Sequence, residues 1–150
     1  MDVERIELRL IRMPLTAPFQ TSFGTEHDRE CIIVAVRAGG LTGWGECVAS
    51  RGFRADGSRL DWNLYSYETT VTAWHILRDF LIPQVLGAPV SIQRMADCGE
   101  RLRGHPLARA SLEAALWDLV AQREGISLAG ALGGARRAVG VGVSIGIQPS

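Results

Sequence analysis

The run Pro106 to Gly125, PLARASLEAALWDLVAQREG, constrains the fold more than any other part of the sequence. Pro106 suits a first helical turn and Gly125 a helix stop. Between them Leu107, Ala110, Ala114, Trp117 and Ala121 form one stripe at helical spacing, and Leu112, Leu116 and Val120 form a second. Apolar cover that wide cannot face water, so this helix is expected to lie between two layers, with Trp117 in the core. The remainder of the chain has to supply those layers. With 47% hydrophobic residues in 150, it has enough apolar surface for about one domain and is no disordered tail.

The first third reads as strands. In VERIELRLIRMPL, Ile6, Leu8 and Leu10 alternate with Glu7 and Arg9, as a sheet with one wet face requires, and Pro14 is expected to close the run. CIIVAVR, Cys31 to Arg37, is short and continuously apolar, as in a central strand; Ala38, Gly39 and Gly40 then supply a turn before LTGWGECVA. An antiparallel meander follows, with the stretch Ala17 to Glu30 as the connection between its first two strands. SRGFRADGSRLDWNL, Ser50 to Leu64, has no period and reads as a long surface loop.

Helices come next. Ser66 is the expected cap of a helix through Val71, Trp74, Leu77 and Leu81 that ends at Pro83, with Trp74 in the core. A second helix is expected over about Ile92 to Leu102, and SLAGALGG forms a short turn after Gly125 that stops at Gly133 and Gly134. In VGVGVSIGIQPS the odd positions Val139 to Ile147 are bulky and the even ones, Gly140, Gly142, Ser144 and Gly146, are small. One face of that strand packs while the other leaves room for a ligand or a second backbone. A strand so rich in β-branched residues needs partners, so a further domain is expected beyond it.

Composition narrows the functional classes. Sixteen acidic residues balance sixteen basic ones, which sets aside nucleic acid, and no run approaches a membrane span or a secretory signal, so a cytoplasmic protein is expected. Every basic residue is arginine, so the polypeptide cannot supply a lysine base. Cys31, Cys47 and Cys98 lack metal or disulfide spacing and read as buried thiols. His27, His75 and His105 read as surface or capping residues, and Arg109, Glu113 and Asp118 as charges on a solvated helix face. For Glu46, in GWGEC, structural and functional readings both stand. No catalytic residue and no metal ligand is therefore assigned. What remains is a binding surface: Phe19 and Phe23 in a polar stretch with Gln20, Thr21 and Ser22, the long loop, and Ser144.

PLTAPFQTSFGT, GWGEC, YSYET, RGHPLARASLEAALWDL, LGG and VGVSIGIQ, in that order over nearly the whole chain, resemble the N-terminal part of the enolase superfamily. The resemblance is to its muconate-lactonizing subgroup, nearest the o-succinylbenzoate synthase and N-acylamino acid racemase family. It implies an α+β fold: an N-terminal capping domain, a three-stranded antiparallel meander plus a helical bundle, over residues 1–134. Residues 135–150 would then begin a (β/α) barrel whose remainder is absent.

Such enzymes abstract a proton next to a carboxylate with barrel lysines and hold the enediolate on a divalent metal, Mg2+, whose ligands are also on the barrel. The resemblance thus implies an isolated chain without turnover, a small-molecule carboxylate substrate, the C-terminal barrel as partner, a homo-oligomer at full length and a place in menaquinone biosynthesis. It assigns substrate contacts to Phe19, Gln20, Ser22 and Phe23 on a first specificity loop, to Ser50 and Tyr65 on a second, and to Ser144 on the first barrel strand. SRGFRADGSRLDWNL is longer and more charged than the connection expected there. A non-catalytic module, or the cap of a dipeptide epimerase or muconate cycloisomerase, are the alternative readings.

Overall fold

The computed structural model describes residues 1–21, 24–50, 66–135 and 138–143. Strands β1 (Arg5–Thr21), β2 (Gly24–Ala38) and β3 (Leu41–Cys47) form an antiparallel sheet in the order β1-β2-β3. The two-residue turn Gly39-Gly40 joins β2 to β3, both glycines having positive φ (56° and 78°), as the right-handed twist of a tight hairpin demands. Ile32, Val34 and Val36 of β2 are buried on one face, which the helices cover.

The sequence leads to a connection over Ala17 to Glu30, whereas the described part of that stretch is ladder. β1 continues through Pro14, which pairs with Asp28, to Thr21 opposite Gly24. A proline is tolerated there because β1 is an edge strand, so the missing N–H can face away from β2. Between Pro14 and Phe19 the register shifts: Leu15 to Pro18, four residues, stand opposite His27 alone. The excess of three is odd, so it reverses the in-out parity of β1. Phe19, paired with Glu26, thereby shares a face with Leu10 and Ile32, while Gln20, paired with Thr25, lies on the other face.

Helix α1 (Thr70–Ile76) is capped by Thr69 and not by Ser66. Thr69 Oγ1 accepts from the Thr72 N–H at 3.2 Å, and the Thr69 N–H donates to Thr72 Oγ1 at 2.9 Å, a reciprocal box that Ser66, four residues before the helix, is too far back to make. The Ser66 hydroxyl accepts from the Glu68 N–H at 3.1 Å instead. A π turn (Leu77–Leu81) carries α1 into α2 (Ile82–Val85), so Pro83 does not end the run. Widening the turn just before the proline relieves the clash its ring would make with the preceding carbonyls.

Helix α3 (Ile92–Arg101) and the long α4 (Pro106–Glu124), closed by Gly125 at φ 66°, follow as the periodicity predicts, then α5 (Leu128–Ala131), capped by Ser127. The buried residues of α4 are Ala108, Ser111, Leu112, Ala115, Leu116, Leu119 and Ala121, with Leu107 and Val120 partly buried against the core, so both expected stripes contribute in part. Ala110 is exposed and Trp117 only half-buried, its indole N–H 3.4 Å from Glu113, because these two members of the first stripe look away from the sheet. Trp74 is half-buried against the core edge. Val3 is buried, and its backbone pairs with Gly87 and Ala88, tying the start of the chain to the α2–α3 connection.

Residues 138–143 belong to no strand, and Val139, Val141 and Val143 are largely exposed, at 77%, 85% and 85%. The strand expected there has no neighbour to pair with among the described residues, and a lone strand cannot satisfy its backbone.

Candidate functional site

Helix α4 fits the sheet closely because the middle of β3, at Gly43 and Gly45, has no side chains in its way. Gly43 and Gly45, two apart and so on one face, lie under the helix; a Cβ on Gly43 would come 2.0 Å from the Ala115 carbonyl oxygen and one on Gly45 1.9 Å from that of Ser111. The free edge of β3 is closed by the same helix. Asp118 accepts the Trp44 N–H at 2.9 Å, and the Gln122 amide donates to the Thr42 carbonyl at 2.8 Å. Asp118, read from spacing as a solvated charge, is thus an edge cap.

The N-terminus of α4 explains YSYET. His105 precedes the helix in the left-handed region, φ 53°, and its side chain caps nothing, so the first N–H groups need an acceptor from elsewhere. Glu68, 0% exposed, provides it: its two carboxylate oxygens accept from Leu107 N–H at 2.8 Å and Ala108 N–H at 3.1 Å. The Tyr67 hydroxyl accepts from the His105 N–H at 3.1 Å, with the two rings edge to face. The signal that could have found Glu68 was the absence of any Ser, Thr, Asp or Asn before Pro106. Burial and the Glu68 carboxylate together push the Cys47 thiol up to about 11, which leaves it protonated and inert at neutral pH.

Ser50 sits on this frame. Its N–H donates to the Glu68 carbonyl (3.0 Å), its carbonyl accepts from the Thr70 N–H (2.8 Å), and its hydroxyl accepts from the Ser66 N–H (3.4 Å). Beside the start of α1, Leu10, Thr70, Val71 and Trp74 line an opening of about 210 Å3. Leu10, on the apolar side of the expected alternation, is 54% exposed, whereas Ile6 and Leu8 pack against the core. Phe19, 51% exposed, stands farther along the same face. Arg12 and Asp28, 2.5 Å apart, form an ion pair across the hairpin between Leu10 and Phe19.

Ser50, half-buried, is hydrogen-bonded to Thr70 at that opening, Phe19 is exposed six ladder positions beyond Leu10 on the same face (Glu26 against Ile32 on β2), and Gln20 is on the opposite face. Ser22, Phe23, Tyr65 and Ser144 lie outside the described residues. A larger hollow of about 600 Å3 lies between the π turn and α3, but its polar lining is occupied internally: Gln93 holds Asp97 at 2.9 Å and Arg94 reaches the Gln84 carbonyl at 3.5 Å. Among the described residues no group of three His, Cys, Asp or Glu side chains could hold a metal ion, so these residues do not fit the Mg2+ that the resemblance implies. None of their helices is long and apolar enough to cross a membrane.

The chain is 45% identical to an o-succinylbenzoate synthase of Geobacillus stearothermophilus, matching over 100% of this chain and 38% of that protein. To an N-succinylamino acid racemase of Amycolatopsis it is 37% identical, over 99% of this chain and 38% of the relative. An enolase-superfamily member of Enterococcus faecalis V583 has the same fold, with a TM-score of 0.78 at 35% identity over 99% of this chain and 38% of that one. The chain thus spans less than two-fifths of the relatives it matches, and they are enzymes of the enolase superfamily. Residues 5–133 match the mandelate racemase / muconate lactonizing enzyme N-terminal domain, and the chain belongs to that family of the enolase superfamily.

Proposed function

We propose that this chain is the substrate-selecting cap of an o-succinylbenzoate synthase or N-succinylamino acid racemase. The observation that carries the reading is similarity along the whole chain to relatives of both names. The chemistry proposed for the full-length protein is removal of a proton next to a carboxylate by barrel residues, with residues 135–150 leading into that barrel. Magnesium dependence, a homo-oligomeric state and a cytoplasmic place in menaquinone biosynthesis go with this proposal.

The described residues carry out no proton transfer in this scheme. Phe19 gives apolar cover over the substrate from the hairpin, and Leu10 and Val71 present apolar groups beside α1, together excluding water so that polar contacts to the developing charge act in a lower dielectric. The Ser50 hydroxyl supplies a hydrogen-bonding group at the same margin. Gln20, on the other face of the hairpin, is proposed to reach substrate only if the hairpin turns about the bulge at Leu15 to Pro18.

The test is turnover by the full-length gene product carrying this chain, assayed for dehydration of the succinylbenzoate precursor and for racemisation of N-succinyl amino acids. Activity with either substrate is expected from the full-length protein and none from the 150 residues alone. Full-length protein inactive on both substrates, or a purified fragment that turns either over, would count against the reading.

A further inference from the structure

We infer that Glu68 is a positioning residue, whose buried carboxylate, seated on the first turn of α4, holds residues 66–70 and through them sets the position of Ser50. The inference rests on the proposed function in taking Ser50 as a substrate contact. Among the described residues, the bonds of Ser50 are to this one segment: N–H to Glu68, carbonyl to Thr70, hydroxyl to Ser66. The segment is in turn fixed to α4 by the Tyr67 hydroxyl and by both oxygens of Glu68.

A carboxylate taken wholly out of water is tolerated only when both oxygens are engaged, and the positive end of a helix dipole is a favourable place for it. A helix needs no distant carboxylate for capping alone. An ordinary Ser or Asp N-cap with extended backbone at position 105 would satisfy one of the two N–H groups locally. Here the cap comes from 39 and 40 residues earlier in the chain, so that one contact joins the long helix to the strand-like bridge at Ser50 and Thr69. What that arrangement adds over a local cap is a fixed place for Ser50 relative to α4, and α4 is itself fixed to the sheet through Gly43, Gly45 and Asp118.

Glu68→Gln keeps the shape of the side chain but turns an N–H₂ toward one of the two helix donors, which breaks half of the seat on α4. Amide exchange on the full-length gene product is the first measurement. Exchange at Ser50 and Thr70 is expected to rise about tenfold or more in the variant, with Ile32 to Val36 of β2 unchanged. Unaltered rates at Ser50 and Thr70 overturn the inference.

Kinetics is the second measurement. Ser50→Ala and Glu68→Gln are each expected to raise KM about tenfold with kcat within about twofold, and the double variant to be no worse than either alone, because both remove one contact. Independent effects that multiply to about a hundredfold would make Glu68 a stability residue only and overturn the positioning role. Should the wild-type protein turn over neither substrate, the proposed function fails, while the exchange measurement still decides whether Glu68 places Ser50.

Discussion

The two ends of the sheet are built on opposite plans. At the β3 end a helix lies so close that only glycine fits beneath it, and two of its side chains, Asp118 and Gln122, close the strand's edge. At the other end β1 and β2 run on as a hairpin past the helices, with Leu10, Met13 and Phe19 exposed and a three-residue excess breaking the register. The first end is a scaffold with many buried partners; the second has few and offers its apolar groups to something else. The difference teaches where selectivity can reside: a surface that must meet varied ligands belongs on the end whose alteration does not unfold the domain.

The comparison can be broken most severely at β3. Gly45→Ala forces a Cβ into the Ser111 carbonyl, so helix and strand must separate, and a loss on the order of 3 kcal/mol or more in urea denaturation is expected. If the variant melts like the parent, the glycines are not what sets the helix–sheet distance. The same buried end should carry a pH signature at Cys47. Its pKa is raised in the fold, so the stabilisation is fully present below the unfolded thiol's value of about 9 and is lost as pH rises through about 11. On the order of 2 kcal/mol is at stake, read as a fall in urea midpoint from pH 8 to 11 that is shallower in Cys47→Ala. Equal slopes would mean that the thiol ionises alike in both states.

Smaller effects sharpen the contrast. Asp118→Ala removes the acceptor for Trp44 and should cost about 1 kcal/mol, with a rise in amide exchange at Trp44. Phe19→Ala should do the reverse of Gly45→Ala. Its stability change is expected within about 0.5 kcal/mol, while kcat/KM of the full-length protein falls roughly tenfold or more through lost apolar contact. A Phe19 variant that unfolds the domain with kinetics intact would reassign the hairpin to the scaffold.

The meander, the Gly39-Gly40 turn and α4 from Pro106 to Gly125 were all legible in the sequence, because each is set by periods and turn chemistry local to it. The hairpin beyond Pro14 was not: proline and small polar residues read as a connection, and only the edge position of β1 makes them acceptable in a ladder. The cap at Thr69 in place of the expected Ser66 was not legible for a similar reason, since both are acceptable N-cap residues and the choice falls to the partner at Thr72. Of the candidate site, the residue types were readable and their grouping was not. Phe19 and Gln20 are adjacent in sequence yet fall on opposite faces, and an odd-numbered bulge decides which one joins Leu10.

By itself, then, the sequence determined the family, the antiparallel meander and the principal helix, all of which follow from local pattern and ordered motifs. Tertiary structure decided the roles of Glu68, Asp118, Gly43 and Gly45. Each acts on a partner about forty to seventy residues away, across an interface of helix and sheet, and no local pattern specifies which backbone groups will lie there in need of an acceptor or of room.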